Sequence, residues 1–111
     1  MIKTTATHAF ALSVARLRRF LSFRYSSELA DQTLAKTEIK VAKVLTELPE
    51  IAPFSERLMV LGASDYRQWQ IDDHNLLFYA YDQTAQTIEL LFIIDSRQDL
   101  QQALFELNLR L

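Results

Sequence analysis

The sequence predicts an α+β fold: an antiparallel sheet packed on a helical hairpin, in two layers, with the order β-α-α-β-β-β-α. Three observations predict it. Up to residue 48 the apolar residues repeat at helical spacing. From 66 to 94 they cluster in short, aromatic-rich runs of strand length. The change of period falls at Pro49 and Pro53, and one glycine and two prolines in 111 residues leave little chain for irregular loops. That length suits a single domain, 1–111.

Residues 2–6 (IKTTA) suit a short strand, and Thr7 can cap the helix after it. From His8 to about Leu21, the residues Phe10, Val14, Leu17 and Leu21 line one helix face, with Arg16 and Arg19 away from it. Residues 22–26 read as a turn, and Ser26 or Ser27 as the N-cap of a second helix, from about Glu28 to Leu48. Leu34, Val41, Leu45 and Leu48 form its buried stripe; Lys36, Glu38, Lys40, Lys43 and Glu47 decorate the rest. Pro49 and Pro53 stop it. Two long helices with a short connection make an antiparallel hairpin.

Segment 54–64 (FSERLMVLGAS) has no clear period, and its LMVL reads as a short strand. YRQWQI (66–71) alternates, with Arg67, Trp69 and Ile71 on one face. Asp72-Asp73 supplies turn chemistry. LLFYAYD (76–82), a turn at QTAQ (83–86) and TIELLFII (87–94) complete a meander. The last two strands are apolar on both faces, so they should be central or covered. From about Gln98 to Leu109, Leu100, Leu104 and Leu107 fit a final helix, with Phe105 off the stripe.

Half the residues are apolar and 23% are charged, as in a globular chain. Cysteine is absent, which excludes disulfides and suits the cytoplasm. The net charge is −2 but polarised: residues 1–24 carry five bases and no acid, whereas 65–111 carry eight acids and three bases. That balance argues against a protein that binds nucleic acid directly. The acid-free first 27 residues read as fold, not as a transit peptide, and no run reaches the ~20 apolar residues of a membrane span.

His8 and His74 have no partner at metal-ligand spacing, so no metal or cofactor is expected. Asp72-Asp73 reads as a solvated turn. Arg67 admits two readings: an edge-strand arginine over the Trp69 indole, or an anion or partner contact on the open face of the sheet. In IIDSRQD, Asp95 or Ser96 can cap the last helix and Asp99 suits its dipole. Arg97 opposes that dipole, so Asp95, Asp99 or a ligand must hold it.

YRQWQI, HNLLFYAYD and TIELLFIIDSRQDL, taken in order over 66–100, resemble the RelE/ParE superfamily of type II toxins. The resemblance implies the fold above and two possible activities. RelE-like members cut messenger RNA on the ribosome with basic residues on the sheet and a late tyrosine. Laid on this chain, Arg67 takes one lysine place and Trp69 the other; Leu76 or Asn75 replaces an arginine, Arg97 matches one, and Ala103 falls where the tyrosine would be. Two basic positions of five, with no general acid or base, leave Arg67 and Arg97 as a reduced ribonuclease site. ParE-like members lack that set and inhibit DNA gyrase, and this chain lies closer to them. A third possibility is a non-toxic interaction domain of the same fold. An antitoxin partner is implied. Its contacts are expected on the apolar surface around Phe20, Phe23 and Tyr25 and in the C-terminal FELNLRL, which holds Phe105 and Leu107, unless these residues close the core; Arg67, Trp69 and Arg97 are the further partner-binding residues expected.

Overall fold

A computed structural model describes residues 1–107, in the order β1 (Lys3–Ala6), α1 (His8–Arg24), α2 (Ser27–Lys40), a π-helical turn (Val41–Leu45), α3 (Glu56–Val60), β2 (Arg67–Gln70), β3 (Asn75–Asp82), β4 (Thr87–Asp95) and α4 (Leu100–Glu106). The end of the predicted last helix beyond residue 107 lies outside the described residues.

The strand order is β1-β4-β3-β2. β2, β3 and β4 form the predicted antiparallel meander, and β3 and β4 are central. The sheet is mixed, not purely antiparallel. β1 pairs parallel to β4, from Lys3 opposite Thr87 to Ala6 opposite Leu90. The chain between them is long enough for the crossover that a parallel pair requires.

β1 is shorter than β4, and α1 covers the edge that β1 leaves. The Thr7 N–H donates to the Leu90 carbonyl at 3.0 Å, and the Thr7 hydroxyl to that of Leu91 at 2.9 Å. Further along, the Ile93 N–H donates to the buried Ser13 hydroxyl at 2.9 Å. Side chains thus satisfy backbone groups that a neighbouring strand would otherwise take.

Two cores flank the sheet. On the hairpin side, Leu17, Leu21, Ala30 and Leu45 pack on Leu77, Tyr79, Ile88 and Ile93. On the other side, Phe78 and Phe92 stack at 4.4 Å between ring centroids, covered by Leu58 of α3 and by Ala103, Leu104 and Leu107. Helices therefore lie on both faces, one layer more than expected. A register shift opposite Phe78 and Tyr79 makes Leu91 a bulge, so Leu91 and Phe92 both reach the second core.

Four local expectations change. α1 continues through Arg24, because Ser22-Phe23-Arg24 contains nothing that breaks a helix, and the turn shrinks to Tyr25 and Ser26. The π turn, which adds a residue per turn, rotates the end of the second helix, and Leu48 is 56% exposed instead of buried. LMVL is helical. Ser55 caps α3 by accepting from the Leu58 N–H, and Gly62 (φ 92°) closes it, with its N–H on the Met59 carbonyl and the Ala63 N–H on that of Leu58. Asp99, rather than Asp95 or Ser96, caps α4, accepting from the Gln102 N–H at 2.9 Å.

Candidate functional site

Because Asp99 serves as the cap, Asp95 is left for Arg97. Asp95 is fully buried at the end of β4. One of its oxygens accepts from the Arg97 N–H and Nε, each at 2.8 Å, and the other from Nη2 at 2.6 Å. These bonds with Asp95 are the leading cause that raises the Arg97 pKa above its ordinary value. Nη1 donates to the Tyr25 hydroxyl just beyond α1. The guanidinium carbon lies 4.9 Å from the Tyr25 ring centroid and 6.0 Å from that of Phe20, and Arg24 lies 5.5 Å from Phe20. The structure thus brings Phe20, Tyr25 and Arg97 together at the hairpin tip. About a third of the Arg97 side chain stays in solvent.

Arg67 is placed differently. It faces the hairpin side with Trp69, not the open face of the sheet, and it lies over Phe54 at 4.2 Å instead of the indole. Its Nη1 donates to the Ala52 carbonyl at 2.7 Å. Tyr79, its partner across the strands, donates its hydroxyl to the Pro49 carbonyl at 2.8 Å, and burial pushes that phenol's pKa up. Together they fasten the loop that follows the π turn. Trp69 is half-buried against the same core.

Arg67 and Arg97 do not form one site. Arg67 aligns through Tyr79 with Leu90, while Asp95 lies five positions further along β4. Strand geometry puts them roughly 20 Å apart. No single phosphate can touch both.

The remaining expected contacts divide. Phe23 is 92% exposed and Phe105 is 85% exposed. Leu107 is buried in the second core, because α4 turns its Ala103–Leu104–Leu107 face to the sheet. Residues 108–111 of the expected contact segment lie outside the described residues. Asp72-Asp73 is a turn as expected. Burial works to raise the Asp72 carboxyl, but the N–H donors of His74 and Asn75 outweigh it and hold its pKa below the ordinary value.

A groove of about 720 Å³, not anticipated from the sequence, runs along the hairpin to the sheet edge, between Phe10, Val14, Leu34 and Val41, with Leu90 and Ile93 at its floor. Ala35 of α2 and Ala42 of the π turn line one side of it. Two alanines seven residues apart beside the Leu34–Val41 stripe are a signal legible in the sequence. The volume falls in the range of ligand clefts, and the π turn contributes Val41 and Ala42 to the wall.

Among the described residues no helix is long and apolar enough to cross a membrane. No family model matches the chain, and no curated protein matches it. Solved structures do. A chain of the chromosomal ParDE TA system from P. aeruginosa superposes with a TM-score of 0.66 at 13% identity, over 86% of this chain and 96% of that one. The fold is ParE-like.

Proposed function

We propose that this ParE-like chain is the toxin of a type II toxin–antitoxin system. It would act in the cytoplasm by protein–protein inhibition of DNA gyrase and be held inactive by a cognate antitoxin. The observation that carries the reading is an open apolar groove on a ParE-like fold, the fold shared with a solved ParDE system. An apolar segment of the antitoxin laid between α1 and α2 would cover Phe10, Val14, Leu34 and Val41, half-buried apolar residues that line the open groove among the described residues. Contact rather than catalysis fits the separate placing of Arg67 and Arg97.

Expression of the chain alone, and together with the product of the adjacent reading frame as the candidate antitoxin, tests the reading. Arrest that the neighbour relieves is the expected result; unimpaired growth in both cases overturns it. Purified chain in excess should block supercoiling by gyrase, and untouched supercoiling would assign the toxin another protein target.

A further inference from the structure

The hairpin tip is a second surface, distinct from the groove. An exposed Phe ring forgoes about 2–3 kcal/mol of burial, and a straight-chain residue at position 23 would serve α1 better. Tyr25 stands beside it, 46% exposed, with its hydroxyl and ring both fixed against Arg97. Asp95 holds Arg97 from behind, so the exposed part of the guanidinium is presented with little rotamer freedom left to lose. Tyrosine and arginine in such fixed settings are the residue types that dominate binding hot spots.

Charge indicates the kind of partner. α1 carries four arginines and no acid. Arg16 is paired with Glu106 and Arg18 with Asp31, whereas Arg19 and Arg24 make no salt bridge among the described residues. Glu28, the nearest acid in sequence, opens α2, where the helix dipole accounts for it.

We propose that Phe23, Arg24 and Tyr25, with Arg19 and Arg97, dock an acidic surface of the protein this chain inhibits. The groove is left to the antitoxin. The proposal rests on the toxin reading and adds to it a division of labour: an apolar groove for neutralisation, a cationic aromatic tip for the target.

The test compares wild type, F23S/R24E and K43E, the last a charge reversal elsewhere on the hairpin, by growth arrest on expression, thermal melting and co-purification with the antitoxin. F23S/R24E should melt within several degrees of wild type, the loss coming from the Arg24 stacking on Phe20 and its place at the end of α1, keep its antitoxin and lose arrest, through a roughly 30-fold or greater loss of target affinity. K43E should arrest like wild type. Full arrest by F23S/R24E overturns the tip proposal alone. No arrest by wild type overturns the toxin reading, and the tip proposal with it. A labelled single-stranded 20-mer oligonucleotide gives the remaining arm. Salt-sensitive binding of it by wild type, lost in F23S/R24E, would give the tip to nucleic acid and overturn a protein partner.

Discussion

Arg67 and Arg97 occupy the hairpin side of one sheet, yet the structure uses them in opposite ways. Arg67 meets a backbone carbonyl and a phenylalanine, and its side chain is 15% exposed. Its nearest carboxylate, Glu50, is 3.8 Å away and largely in solvent, so that pair is worth little. Arg97 meets a buried carboxylate on one edge and leaves part of the guanidinium outside. The same side chain fastens a loop in one place and frames a surface in the other. What surrounds an arginine, not its place on a strand, decides which.

Removing each arginine sharpens that contrast. Arg97→Ala should cost about 3 kcal/mol, because the Asp95 carboxylate would stay buried without its cation. Asp95→Ala combined with Arg97→Ala should cost less than Arg97→Ala alone, since no unpaired charge is then left inside. Urea unfolding of the three variants reads both numbers, and equal losses for the single and double variants would break the account. Arg67→Ala should cost about 2 kcal/mol, from a charge-assisted bond to Ala52 and the contact with Phe54. Backbone hydrogen exchange should rise in residues 49–55 in Arg67→Ala and remain low there in Arg97→Ala.

Asp72 gives a smaller effect with a definite sign. Folding lowers its pKa below the ordinary value near 3.8, so the folded state favours the ionised form. Its contribution is complete above that value and is lost as pH falls through the lower folded value. Asp72→Asn should therefore flatten part of the acid limb of the stability curve and leave its slope near neutrality unchanged. An unchanged acid limb would show that His74 and Asn75 do not hold the carboxylate as described.

The two arginines also show what was legible in the sequence. The meander, the hairpin, the Thr7 cap, a serine cap at 26 or 27 and the need of Arg97 for a carboxylate or a ligand all come from spacing and local chemistry. Which carboxylate served did not, since Asp95 and Asp99 are both acceptable caps and only burial separates them. The face of Arg67 was legible by alternation, but that face could not be assigned to the hairpin side without the sheet order. α3 was missed although its cap, Ser55, and its closing glycine, Gly62, are written in the chain; four apolar residues between them imitate a strand. The π turn carries no residue signature here, so the exposure of Leu48 was not readable. The groove depends on how far two helices diverge, which periodicity does not report; only the small residues Ala35 and Ala42 beside the stripe mark it in the sequence.

Phe23→Ser is the smallest expected effect and separates the tip from the core most cleanly. Phe23 is the most exposed aromatic ring among the described residues, and no stacking with a cation involves it. The substitution should therefore change unfolding free energy by no more than about 0.5 kcal/mol. Tyr25→Phe, in the turn beside it, should cost about 1 kcal/mol by removing the hydroxyl that accepts from Arg97. If both variants lose stability alike, the tip is one packed unit and Phe23 belongs to the fold. If only Tyr25→Phe does, the ring at 23 contributes nothing to folding, and its presence at the tip calls for a partner.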